Sequence, residues 1–194
     1  MNTGLYFGSF NPIHIGHLAI ANYILEYSAL DQIWFVVSPH NPLKEKKSLL
    51  KGYHRLEMVD LAIGDDDRMR SCDIEFGMPT PSYTIDTLTY LREKHPGQSF
   101  QLIMGADSLR SFHKWKNAGS IVRSCPRIIY PRPGASTSAD QLPLISLENT
   151  VIVDAPLIEI SSSFIRDAIR DGKDIRHFMP AASYRYMREM HFYE

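Results

Sequence analysis

Two histidines three residues apart, His14 and His17, stand in the run Gly8-Ser9-Phe10-Asn11-Pro12-Ile13-His14-Ile15-Gly16-His17, directly after a short apolar stretch. On the first turn of a helix, residues three apart share a face. Gly8 and Ser9 are small enough to let the backbone approach a ligand, and Gly16 leaves space on the side that the imidazoles line. A helix start already draws anions through its free N–H groups and the macrodipole. Two imidazoles placed there make a compact phosphate site. No Cys or carboxylate stands nearby to turn the pair into a metal site. A lone His would read as a cap or an exposed side chain; the pair on this turn reads as anion chemistry.

A second anion signal lies far along the chain, in Ile160-Ser161-Ser162-Ser163-Phe164-Ile165-Arg166. Serines at a helix start can cap it, or turn hydroxyl and N–H groups toward a phosphate. Arg166, one turn in, could reach back to the same anion with its planar fork. Standing alone, this stretch would be a capped helix with a solvated Arg. Its meaning comes from the pairing with the histidines.

These residues must be positioned by elements, and the elements alternate. Apolar, β-rich runs occur at Leu5-Tyr6-Phe7, at residues 33–37, 100–104 and 127–130, and at Val151-Ile152-Val153, with a looser outer strand over 69–76. Continuous apolar runs of this kind belong to parallel strands covered on both sides. Between them lie helical patterns. One starts near His14, with Leu18, Ala21, Asn22 and Leu25 on one face. A second carries Leu56, Val59 and Ile63 and stops at Gly64. A third spans residues 84–94, a fourth 161–170, and a last 181–190 after Pro180. The order predicts an α/β fold: an open parallel sheet with helices on both faces. The chain reads as one domain, with an α/β core over residues 1–160 and a small helical C-terminal lobe over 161–194. Residues 131–144, rich in Pro, Gly, Ser and Thr, read as a surface loop.

Composition sets the limits. The chain has 194 residues, 21 Lys plus Arg against 22 Asp plus Glu, and a net charge of −1. That balance gives no bulk attraction for nucleic acid or an anionic membrane, so any anion site is local. No apolar run approaches the roughly 20 residues of a membrane span, and the first residues do not read as a secretory signal. Two distant cysteines, Cys72 and Cys125, make no metal-type pair. A cytoplasmic protein with free thiols is the expectation.

Together the two anion segments resemble the nucleotidyltransferase superfamily that shares its His-x-Gly-His signature with class I aminoacyl-tRNA synthetases. More narrowly, nearly the whole chain is similar to bacterial nicotinate-mononucleotide adenylyltransferases. The narrower likeness rests on Ser38-Pro39-His40-Asn41-Pro42-Leu43-Lys44, Ser82-Tyr83-Thr84-Ile85-Asp86-Thr87-Leu88, Gly105-Ala106-Asp107 and Trp115, in that order. One departure is Met78-Pro79-Thr80-Pro81, where many relatives carry an Arg and a Gly.

The resemblance implies a Rossmann-like sheet and transfer of the adenylyl group of ATP to nicotinate mononucleotide. The products would be nicotinate adenine dinucleotide and pyrophosphate, in NAD biosynthesis, with Mg2+ carried on the ATP and no protein metal site. His14, His17 and Arg166 would be the catalytic residues. ATP would also meet Gly8, Ser9, Phe10, Ile160, Ser162 and Ser163, with Gly105 and Asp107 at the adenosine. Asn11, Lys44, Tyr83, Thr84 and Trp115 would hold the mononucleotide, Trp115 by stacking on the pyridine ring and Thr84 by meeting the carboxylate. Without the family, Gly105-Ala106-Asp107 is a strand-to-helix turn with an Asp cap, and Trp115 between Lys114 and Lys116 is a core residue on a helix with a wet side. Lys46, Lys47 and Lys51 read as a solvated loop. The expected partners are the two nucleotides, without nucleic acid or membrane, and a homo-oligomer is left open. The alternatives are an acceptor such as nicotinamide mononucleotide or another phosphate, and a nucleotide-binding regulator without turnover. A synthetase fragment fits least, since the chain is short and has no Lys-Met-Ser-Lys-type loop.

Overall fold

A computed structural model describes residues 1–39, 49–135 and 147–194. Six strands form one sheet: β1 (Asn2–Gly8), β2 (Gln32–Val37), β3 (Met69–Cys72), β4 (Ser99–Gly105), β5 (Arg127–Tyr130) and β6 (Thr150–Ile152). Every pairing is parallel, and the order is β3-β2-β1-β4-β5-β6. The chain grows outward from β1 in one direction, then returns to its other side with β4. A sheet wound this way opens a crevice beyond the carboxyl ends of β1 and β4, where ligands bind in such folds.

Side chains alternate across the strands and so feed two cores. Tyr6, Ile33, Phe35 and Val37 pack on one face with α1 (Ile15–Tyr27), α2 (Gly52–Ile63), α6 (Ser162–Arg170) and α7 (Ala181–Glu189). Leu5, Trp34, Val36, Leu102 and Met104 pack on the other with α3 (Thr84–Lys94), α4 (Ala106–Phe112) and α5 (Ala118–Ser124). Helices therefore cover both faces, as the alternation predicts. Ile165, Ile169 and Met187 of the C-terminal helices lie in the same core as Tyr6 and Phe35. Among the described residues, no helix is long and apolar enough to cross a membrane.

Three local expectations change. The buried face of α1 is Ile20, Ala21, Ile24 and Leu25, and Asn22 is exposed. Leu18 packs half-buried against the same core, so of the expected face only Asn22 falls outside. The outer strand over 69–76 stops at Cys72; residues Ile74–Gly77 form a 3-10 turn that carries Glu75 inward, 2% exposed. Finally, α4 and α5 have seven residues each, too short for a helical period to register.

Candidate active site

The site grows from the end of β1. A Cβ on Gly8 would lie 2.7 Å from the Phe10 ring, so the turn needs a glycine there. Phe10 holds a left-handed backbone, φ 43°, which aims its ring into the core against Phe35 and His17 at 5.5 and 5.1 Å between centroids. Buried in this way, Phe10 offers a ligand its backbone rather than its ring. The chain then passes Asn11, 4% exposed, and enters α1 at His14.

His14 is the N-cap of α1 and His17 its third residue, with their rings stacked 3.7 Å apart. The backbone N–H of His14 donates to Nδ1 of His17 at 3.2 Å. An accepting Nδ1 carries no proton, so the neutral ring of His17 holds its N–H at Nε2, a donor suited to a phosphate oxygen. His14 is 3% exposed, and its Nδ1 has no hydrogen-bond partner among the described residues. Burial, reinforced by the positive charge of Arg132, lowers its pKa to about 4.

The distant serine segment is stitched to this loop. Ser161 caps α6 by accepting the Phe164 N–H at 3.1 Å. Ser162 donates its hydroxyl to the Pro12 carbonyl at 2.8 Å, 150 residues away. Arg166 donates to the Asn11 carbonyl at 2.8 Å and to the Ser163 hydroxyl at 3.2 Å. The two anion segments therefore do meet. The Ser162 hydroxyl proton faces a carbonyl, so toward an anion this residue has its backbone N–H at the start of α6 to offer, not its hydroxyl. Ile160, half-buried, packs against the core just before α6.

Gly105 ends β4 and caps α4, while Asp107 sits two residues in, with no side-chain capping bond. The reading of Asp107 as a helix cap is therefore corrected. Its exposed carboxylate faces Arg132 at 4.0 Å, and the pair borders a cleft of about 210 Å3 completed by Pro133, Ile158 and Glu159. A Cβ on Gly105 would collide with Asp107 Oδ1 and Arg132.

A third group forms where α3 begins. Tyr83 is its N-cap and Thr84 its first residue; the first is exposed, the second half-buried. Trp115 lies on the turn between α4 and α5 rather than on the expected helix, and packs half-buried on Phe112, 5.3 Å between rings. Next to it, Lys116 places its ammonium 4.7 Å over the Tyr83 ring and 2.8 Å from Asp86, which ties this turn to α3. Lys44 lies outside the described residues.

Three residues around the site, Glu75, Arg55 and Arg132, have no place among the sequence-based candidates. Glu75 accepts from the hydroxyls of Ser82 and Thr87, both at 2.8 Å, and so fixes the entry to α3. Arg55, fully buried, donates to the carbonyls of Ser9, Ser38, Pro39 and Leu50. Burial lowers its pKa to about 10, so it stays charged at neutral pH. Arg132 is hidden in sequence by the loop-like composition around it, although its place just past β5 is a signal, since ligands gather beyond strand ends. Arg55 and Glu75 carry no comparable sequence signal. Among the described residues, no group of three or more His, Cys, Asp or Glu is placed to hold a metal ion.

Residues 5–168 match the family model described as cytidylyltransferase-like. The chain is 47% identical to the probable nicotinate-nucleotide adenylyltransferase of Flavobacterium psychrophilum over 194 residues, all of both chains. It is 48% identical over 183 residues to that of Bacteroides fragilis, covering 94% of this chain and 89% of that one. The solved Plasmodium falciparum nicotinic acid mononucleotide adenylyltransferase complexed with NaAD matches with a TM-score of 0.82 over 99% of this chain and 97% of that chain. At 22% identity, that last likeness is one of fold.

Proposed function

The chain belongs to the nicotinate-nucleotide adenylyltransferases, within the cytidylyltransferase-like family, and from that premise we propose how its own residues carry the reaction. The enzyme transfers the adenylyl group of ATP to nicotinate mononucleotide, forming nicotinate adenine dinucleotide and pyrophosphate in NAD biosynthesis. The 5′-phosphate oxygen of the mononucleotide attacks the α-phosphorus in line and expels pyrophosphate. That nucleophile is already an anion and needs no general base. The protein has to align two repelling phosphates and to neutralise charge that grows on the leaving group.

The observation that carries this reading is the convergence of α1 and α6 on residues 11–14. Arg166 and Ser162 of α6 bond the carbonyls of Asn11 and Pro12, while His17 of α1 accepts the His14 N–H, so both helix starts are fastened to one loop. In the proposal His14, His17, Ser162, Ser163 and Arg166 hold the triphosphate, with Gly8, Ser9, Phe10 and Ile160 shaping its bed through the backbone. Arg132 adds a charge beside His14. Asp107 receives ribose hydroxyls next to Gly105. Asn11, Tyr83, Thr84 and Trp115 take the mononucleotide, with Trp115 stacked on the pyridine ring. Mg2+ arrives as part of the substrate, on the phosphate oxygens of ATP, where it neutralises charge. The cytoplasm, where both nucleotides are found, is the compartment this reaction fits.

Pyrophosphate release from Mg-ATP, run in parallel with nicotinate mononucleotide, nicotinamide mononucleotide and phosphopantetheine, tests the reading. Release with the first in strong preference is the expected result. Equal or greater release with another acceptor would keep the phosphate site and overturn the roles of Thr84 and Trp115. ATP binding without release from any of the three would make the protein a regulator.

A further inference from the structure

The last residues of the chain return to the first loop. His191 and Tyr193 both take left-handed backbones, φ 52° and 68°, an uncommon choice for non-glycine residues. Two such turns within three residues reverse the chain after α7. Phe192 is buried, 4.6 Å from the His54 ring, and Glu194 pairs with Arg188 and His191 at 3.0 and 2.9 Å. The result is a tail held at several points, with the half-buried Tyr193 hydroxyl donating to Oδ1 of Asn11 at 2.7 Å, 182 residues away.

Asn11 is the node of the loop between β1 and α1. Its side-chain oxygen also accepts the Leu50 N–H at 3.2 Å, and its carbonyl accepts from Arg166. A backbone N–H can only donate, so the Leu50 bond fixes which end of the amide is oxygen. Tyr193 and Leu50 thus hold the same oxygen from two segments and fix the orientation of the amide. The Tyr193 phenol is suited to hold the amide in this way. Burial pushes its pKa well up, against the pull of Arg166 and Arg55, so it remains a neutral donor at working pH.

We propose that Tyr193 is a positioning residue for the mononucleotide half of the site, acting through Asn11. The inference rests on the assignment of Asn11 to the mononucleotide. Without the hydroxyl, one of the bonds that hold the Asn11 oxygen is lost, and the amide gains freedom that mononucleotide binding must remove. ATP, which the proposed site holds through His17 and Arg166, loses no bond of its own, because Arg166 bonds the Asn11 backbone carbonyl and not its amide oxygen.

The test is steady-state kinetics on Tyr193→Phe, Asn11→Ala and the double variant, with KM measured separately for nicotinate mononucleotide and for ATP. Tyr193→Phe keeps the ring and its packing, and thermal unfolding verifies that the fold is unchanged. The expected result is a rise in KM for the mononucleotide of about 3- to 10-fold, the scale of one hydrogen bond, with KM for ATP within about twofold. In the Asn11→Ala background the same substitution then adds little, because the two act through one bond. Unchanged constants, equal losses for both substrates, or full additivity in the double variant would overturn the proposal. If Asn11→Ala itself raises KM for ATP and not for the mononucleotide, the assignment of Asn11 fails, an outcome distinct from failure of Tyr193 alone.

Discussion

His14 and His17 differ in chemistry although their rings stack 3.7 Å apart. His17 accepts a backbone N–H at Nδ1, which leaves Nε2 as the donor, while His14 is buried beside a cation. Loss of the His17 donor should therefore act on the transition state. His17→Ala is expected to lower turnover by about 10²–10³, the scale of one missing oxyanion donor. Stopped-flow single turnovers with saturating substrates check it, and unchanged turnover in folded protein would remove His17 from the mechanism. His14 makes a prediction about acid. Its folded pKa of about 4 lies below the ordinary 6.5, so between those values the unfolded chain binds more protons than the folded one. Stability conferred by the neutral ring is present above pH 6.5, declines as pH falls toward 4, and changes no further below. Thermal unfolding across that window should show a loss in the native protein that His14→Asn reduces. An identical pH profile in the two would contradict the burial of a neutral imidazole.

At the scale of elements, the site depends on where helices begin. The entry to α3 is set by Glu75, whose carboxylate holds the Ser82 and Thr87 hydroxyls from a 3-10 turn. Glu75→Ala removes both acceptors, one of them for the fully buried Thr87. We expect it to raise KM for nicotinate mononucleotide more than KM for ATP, with a stability loss on the order of 1–3 kcal/mol. Isothermal titration with each nucleotide separates the two effects, and equal losses would deny α3 its part in the mononucleotide site. Much of this arrangement is legible locally. The third helical pattern has the bounds of α3, and the serines before α6 include its cap, because caps and helical periods are written within a few residues. The His-x-Gly-His spacing likewise needs only one turn of helix. Trp115 shows the opposite case. A Trp between two lysines fits a helix as well as a turn, and only the packing on Phe112 and the Lys116–Asp86 pair decides. Glu75 and Arg55 are not legible at all. Their identity as surface-type residues points outward, and their partners are hydroxyls and carbonyls supplied by other segments.

For the molecule as a whole, Arg55 joins the ends of β1 and β2 from beneath the loop that carries the histidines. Arg55→Met leaves up to four carbonyls without their donor. The expected cost is on the order of 3–5 kcal/mol, read as a lower denaturant midpoint at unchanged slope. A midpoint shift worth less than about 0.5 kcal/mol would mean that water satisfies those carbonyls. The chain order of the stitches has a consequence of another kind. His14 and His17 leave the ribosome well before α6, and the bonds that tie their loop to α6 come from residues 150 and 155 positions later. At about 5–20 residues per second, roughly 8–30 s of synthesis separate the two events. During that interval the nascent chain carries the histidine turn without its clasp, so the loop is complete only once α6 has been made, not with the first folded strands.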